Sequence, residues 1–321
     1  MAQGDQVKNG KAFEYAIAKV YAQFVTSQQK AVVLVDNKAI RQAKAYYDSF
    51  SQIEQSKFDV AARQTIDTMI RIEPGILSQR NDADKLQIML NADTEGEVGD
   101  VRDVVFQRMR PSWEIGFSAK NNNDAVKHSR LSDQLDFGAR WVGVKCSATY
   151  WDEIKPIFAY LADAKSKGLD WNDLGDEKVR LVYVPLLKAF RKELLRISGT
   201  DATIPGKLVQ YLIGSYPFYK IIKDDSHNLV IVKAFNINGE LNKTVNGVKS
   251  QYPTPKINLP TRIVEFEMKK DSDNTLHMIL DEGWEISFRI HNASSKVETS
   301  LKFDIKLLGN PPILFTQHLF R

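Results

Sequence analysis

Apolar and polar positions along this chain recur with two different periods, and each change of period marks a change of element. Between residues 9 and 25, Phe13, Ile17, Val20 and Phe24 fall at spacings of four, three and four, the stripe of one helix face. Glu14 lies beside that stripe, toward its edge. A surface helix commonly carries such a glutamate; the functional alternative is a carboxylate reaching a site from the first helix. Residues 38–73 continue the helical pattern, in two segments around Ser49–Ser51, and end at Glu73-Pro74-Gly75. The period then shortens to two. Lys85–Leu90 alternates as a strand, Thr94–Gly99 supplies a turn, and the runs 99–106 and 113–123 read as two more strands separated by Arg110-Pro111-Ser112. Three consecutive strands predict an antiparallel meander. Helical spacing returns over 124–140, 150–167 and 176–197, with a short strand at Trp141–Cys146, and Pro205–Ser215 closes the helical half. Beyond it the pattern predicts strands at 219–223, 229–233, 261–270, 276–280, 284–290 and 301–307. Residues 236–260, rich in Asn, Gly, Lys, Thr and Pro, form a long loop between them.

Composition adds bounds to this pattern. With 321 residues the chain can bury a sizeable core, divided here into a helical and α/β part over 1–215 and a β-rich part over 216–321, whether or not the second is continuous with the first. A net charge of +4 is compatible with a nucleic-acid partner without requiring one. The lone cysteine, Cys146, excludes an internal disulfide and a cysteine-based zinc site. No run reaches the roughly 18 apolar residues of a membrane span, and the first residues lack the apolar core of a signal peptide. A soluble, cytoplasmic protein is predicted.

The chemistry concentrates on the second and third strands of the meander. Side chains alternate along a strand, so Glu114, Gly116, Ser118 and Lys120 share one face, reached from the strand that carries Asp103. An acid–acid–lysine cluster of this kind can hold a divalent cation and position a water, and the small Gly116 and Ser118 leave room beside it. The plain alternative is a half-buried strand with a solvated polar face. Asn121 and the two asparagines after it, then Lys127, His128 and Arg130, offer the donors that a phosphate-bearing partner needs. Asp133, thirteen residues after Lys120, reaches the same pocket if its helix packs back on the sheet, and is otherwise solvated. Near the C-terminus, Arg289, His291, Asn292, Ser294 and Lys296 are dense in groups that read base edges; the alternative is a polar loop between strands.

The order helix with Glu, strand with Asp, strand ending in Xaa-Lys, helix resembles the PD-(D/E)XK nuclease fold, a mixed central sheet flanked by helices. Within that superfamily, Trp113-Glu-Ile-Gly-Phe-Ser-Ala-Lys-Asn-Asn-Asn-Asp-Ala-Val-Lys-His-Ser-Arg-Leu-Ser132 is similar to the HaeIII-type restriction endonucleases, as is Arg289-Ile-His-Asn-Ala-Ser-Ser-Lys-Val-Glu298 with Leu301-Lys-Phe-Asp-Ile305. The likeness runs from Gly10 to about Phe320. It implies a type II restriction endonuclease that hydrolyses both strands of duplex DNA with Mg2+ at a short palindrome, GGCC, as a homodimer. Asp103 is then a metal ligand and Lys120 acts on the attacking water. The acid that the superfamily places two residues before the lysine is Ser118 here, leaving Glu114 or Asp133 as second ligand, with the carbonyl after Ser118 as a third. Two readings compete: a non-catalytic duplex-binding protein, which has no need of acids that repel phosphate, and a repair nuclease without sequence preference.

Overall fold

The stripe read from the sequence is the inward side of helix α1 (Gln3–Ser27): Phe13, Ile17 and Val20 are buried and Phe24 half-buried. Tyr21, on the same helix, meets Phe106 and Phe117 edge-on at centroid distances of 5.1 and 5.5 Å. The computed structural model describes every residue except 1, 2, 82, 93–98, 110, 111, 123, 125, 127, 128, 293 and 321. The chain forms two compact units, each built from separated stretches. The first takes residues 1–124, 214–257 and 313–321; the second takes 125–213 and 258–312. The units thus interleave along the chain, where the sequence reading divides it at 215.

The first unit holds a seven-stranded mixed sheet. Its strands are β1 (Val32–Leu34), β2 (Leu86–Leu90), β3 (Val104–Met109), β4 (Ser112–Asn121), β6 (Phe218–Asp224), β7 (Leu229–Phe235) and β12 (Thr316–Phe320), in the order β1-β2-β3-β4-β6-β7-β12. Strands β2, β3 and β4 are the predicted antiparallel meander, whereas β4 and β6 run parallel. Helices α2 (Lys38–Asp48) and α3 (Gln52–Ile72) separate at the predicted break, where Ser51 and Glu54 form a reciprocal capping box. After α3 the chain turns at Pro74 and Gly75. A Cβ on Gly75 would stand 2.2 Å from the Trp113 ring, so only glycine lets the turn close on β4. Arg108 of β3, wholly buried, donates to the carbonyls of Gly75 (2.6 Å), Ile76 (2.9 Å) and Asp84 (2.8 Å), satisfying a turn that no ladder reaches.

The second unit carries a five-stranded antiparallel sheet. Its strands are β5 (Ser129–Leu131), β8 (Ile263–Met268), β9 (Thr275–Leu280), β10 (Glu285–His291) and β11 (Leu301–Gly309), in the order β5-β11-β10-β9-β8. Helices α4 (Phe137–Val142), α5 (Ala148–Ser166), α6 (Val184–Ser198) and α7 (Ile204–Ile213) belong with it. Phe190 of α6 centres its core, 4.9 Å from Phe137, 5.2 Å from Phe303 and 5.6 Å from Phe288. The chain is therefore α/β, with a mixed sheet and a C-terminal region rich in strands, as its pattern predicts.

Three local expectations fail. Residues 124–140 do not form one helix: Ser129–Leu131 pair with Leu301–Phe303 as β5, and only Phe137–Val142 is helical, with Asp136 as its N-cap accepting from Ala139 at 2.9 Å. Trp141–Cys146 is not a strand; Trp141 and Val142 end α4, and Gly143 closes it at φ +78°. The 176–197 helix opens with a π-helical turn at Lys178–Tyr183, because Pro185 has no amide to continue an α ladder and its ring crowds the carbonyl four residues back. Among the described residues, no helix is long and apolar enough to cross a membrane.

Candidate active site

Asp103 sits one residue before β3, yet its backbone already belongs to the sheet. Its amide donates to the Phe117 carbonyl at 2.7 Å, and its carbonyl accepts from Asn91 at 3.0 Å. This double tether aims the side chain along β4. There Oδ2 accepts from the Ala119 amide at 2.7 Å, from the Ser118 hydroxyl at 3.3 Å and from Lys120 Nζ at 3.4 Å. All three donors come from β4 itself, so the carboxylate is preset before any ligand arrives. Asp103 and Lys120 are both half-buried, open enough to be reached and closed enough for their charges to be felt.

Glu14 enters this cluster from α1. It is 5% exposed and paired with Lys11 at 3.0 Å. Burial, then the charge of Asp103, push its carboxyl up to about 8, against the pull of Lys11 and Lys120. The glutamate at the edge of the first helix stripe therefore shares a field with Asp103 and Lys120. The stripe alone gives only its place on a helix.

Glu114 is placed otherwise. It shares a strand with Lys120, but its carboxylate is bonded to Arg102 at 2.6 Å. Arg102 in turn grips Asp100 with two bonds of 2.8 and 2.7 Å and stands 4.6 Å over the Tyr216 ring. Gly116 is the reason this fits: a Cβ there would come within 2.1 Å of the Arg102 side chain. Alternation along β4 correctly puts Glu114 and Lys120 on one side, but the arginine occupies the room that Gly116 leaves between them. Asp133 lies exposed in a turn of the second unit rather than on a helix.

Of the residues expected to meet DNA, Lys127 and His128 lie outside the described residues. Asn121 pairs with Lys223 at 3.0 Å, on the side of β4 away from Lys120. In the second unit, Asn292 accepts from Tyr183 at 2.8 Å, and Lys296 donates to the Gly168 carbonyl at 2.9 Å; both tie loops together. Arg130, Arg289 and His291 share the outer face of the five-stranded sheet. Cross-strand pairing sets Arg130 opposite Lys302, Lys302 opposite His291, and Arg289 opposite Asp304, with Arg289 Nη2 on Asp304 Oδ2 at 2.9 Å. Lys302, Asp304 and Lys306 were not picked out by their residue types; their alternation with the buried Leu301, Phe303 and Ile305 is the signal that places them on this face.

The sequence matches the HaeIII restriction endonuclease family over residues 10–311. The chain belongs to that family. It is also 39% identical to the type II restriction enzyme HaeIII of Haemophilus aegyptius over 304 residues, 94% of each protein. No solved structure matches it. The protein is accordingly a type II restriction endonuclease, a site-specific deoxyribonuclease, and duplex DNA is its substrate.

Among the described residues, no group of three or more His, Cys, Asp or Glu is gathered closely enough to hold a metal ion. The donor set at Asp103 is smaller: one preset carboxylate, with Glu14 behind it. Mg2+ binds through one or two carboxylates and keeps most of its waters, so an oxygen-only donor set suits it better than zinc, which favours histidine and cysteine.

Proposed function

We propose that the enzyme hydrolyses both strands of duplex DNA with Mg2+ at the short palindrome GGCC, acting as a homodimer in the cytoplasm, with Asp103 and Lys120 at the reacting phosphate. The observation that carries this reading is the convergence of Ala119 N–H, Ser118 Oγ and Lys120 Nζ on one oxygen of Asp103. A strand that merely exposes a polar face has no reason to fix a carboxylate against a lysine in this way.

Phosphodiester hydrolysis needs an in-line water, compensation of charge on the phosphate oxygens and a proton for the 3′ leaving oxygen. Asp103 and Glu14 would hold the cation, with the carbonyl after Ser118 as a further donor; bound there, Mg2+ supplies Lewis acidity toward the phosphate oxygens. Lys120 orients the water and lowers its pKa while its charge faces the phosphate. Ser118 holds Asp103 and leaves space for the phosphate; among the described residues no histidine bonds to it as a nucleophile would require. Glu114 serves the Arg102–Asp100 clamp.

Base reading falls to the outer face of the five-stranded sheet. Arg289, held by Asp304, presents a forked donor suited to a guanine edge, and Arg130, Lys302 and Lys306 add positive charge around it. A palindromic site mirrors two-fold symmetry, which supports two copies acting on one duplex. Digestion of phage DNA with and without Mg2+ tests the reading. Discrete bands, all with GGCC at their ends, are expected only with metal. A smear would mean a nuclease without sequence preference, and intact DNA with retained binding would mean a non-catalytic duplex binder.

A further inference from the structure

The face of the first unit's sheet that bears Lys120 carries two more lysines. In the parallel pairing of β4 with β6, Ser118 is opposite Lys220; in the antiparallel pairing of β6 with β7, Lys220 is opposite Lys233. Directly opposed residues on neighbouring strands project to the same side, so Ser118, Lys220 and Lys233 form one row. Two opposed ammonium groups repel, and both side chains are nearly buried, 5% and 12% exposed.

One carboxylate reconciles them. Asp124 takes Lys220 on Oδ1 and Lys233 on Oδ2, the latter at 2.8 Å, and its backbone carbonyl accepts a further bond from Lys220 at 3.0 Å. Burial pulls the Lys220 ammonium down to about 8; Asp124 opposes this, while Lys120 and Lys233 add to it, so the three lysines share one field. Asp124 itself is 40% exposed and lines a cavity of about 500 Å3 with Asn122 and Ile222. Asp224 and Asp225 border the same cavity but are bonded to Ser226 and His227 and to Asn122 and Lys223, which close the β6–β7 turn. A purely structural buried ion pair hides both partners. Here the cations are fixed and dry, and the anion between them faces solvent.

We propose that Lys220 and Lys233 form a subsite for a second backbone phosphate of the duplex, and that Asp124 stands in for this phosphate in the free protein. The inference rests on the nuclease reading of the Asp103–Lys120 site, whose sheet face it shares. A carboxylate with each oxygen on a different ammonium presents the same two-oxygen edge as the non-bridging oxygens of a phosphodiester. Exchanging one for the other leaves both lysines paired, so DNA binding need not expose a buried charge.

The test is fluorescence anisotropy of the full-length enzyme with a labelled 20-base-pair duplex lacking GGCC, in EDTA, over a range of salt. Lys220→Gln and Lys233→Gln are each expected to flatten the plot of log K against log salt by about 1, and the double variant by no more, because both hold the same phosphate. Asp124→Asn should bind more tightly than wild type, and this gain should vanish in the Lys220→Gln/Lys233→Gln background. A gain of equal size in both backgrounds would reflect diffuse electrostatics and overturn the proposal, as would unchanged slopes in folded lysine variants. Where Asp124→Asn fails to fold, the Lys233→Gln slope decides alone, since a change near 1 supports the subsite and no change refutes it. If wild type binds no duplex at all, the nuclease reading fails instead.

Discussion

Glutamine at position 14 and glutamine at position 114 are expected to behave oppositely, and the structure supplies both magnitudes. Glu114, 41% exposed, pairs with Arg102, and that arginine keeps two short bonds to Asp100 when Glu114 is neutralised. A half-exposed ion pair contributes about 0–1 kcal/mol after solvent screening, so Glu114→Gln should cost no more than that in stability and change cleavage less than about threefold. Asp100→Asn is the contrast. It uncovers Arg102 where both partners are about nine-tenths buried, a loss on the order of 3–5 kcal/mol. Glu14 lies in the field of Asp103 and Lys120, and if it is one of the two carboxylates proposed for the cation, its loss should reduce the cleavage rate by at least about 100-fold. Single-turnover cleavage of a plasmid bearing GGCC sites in saturating Mg2+, with urea unfolding of each variant, measures both quantities. A folded Glu114→Gln enzyme that loses 100-fold, beside a Glu14→Gln enzyme near wild type, would refute the assignment and return Glu114 to the metal.

Other changes probe the remaining roles. Lys120→Ala should abolish cleavage while leaving duplex binding in EDTA largely intact; a variant that keeps more than a small fraction of wild-type cutting would remove the lysine from the chemistry. Arg289→Ala should lose roughly 1–3 kcal/mol of discrimination between GGCC and single-base variants, whereas Arg130→Ala should weaken all duplexes alike and flatten the salt dependence; identical behaviour would reduce the outer sheet face to a general cationic surface. Glu73 gives a pH signature. Burial raises its carboxyl from 4.5 to about 7 despite bonds from Tyr219, Asn242 and Trp113. The stabilising contribution of its protonated form is therefore complete below pH 4.5 and is lost as pH rises toward 7, about 3 kcal/mol in all. Glu73→Gln should flatten this decline in denaturant midpoints measured at pH 4.5 and 8, and an unchanged slope would count against it.

The sequence by itself determined what depends on neighbours along the chain. Period 3.6 located α1, α2, α3 and α5, the turn residues at Ser49–Ser51 and Pro74-Gly75 located breaks, and period two located β2, β3 and β4 together with β6 to β11, while β12 has no such signal. Asp103 comes beside Lys120 because it leads into β3 while Lys120 lies on β4, the neighbouring strand of the meander. Tertiary structure decided whatever depends on a partner far along the chain. Ser129–Leu131 is a strand only because Leu301–Phe303 lies alongside it, and no local period announces that pairing. Glu14 comes under the charges of Asp103 and Lys120 only because α1 packs on the sheet and buries it. Glu114 is paired with an arginine twelve positions earlier, through room that a single glycine leaves. Lys220 reads in sequence as one more polar residue of a strand, and only the register of β4 and β6 sets it opposite Ser118. Alternation fixes the side of a sheet on which a charge stands, but its counter-ion is fixed by packing, and that choice distinguishes a ligand from a clamp.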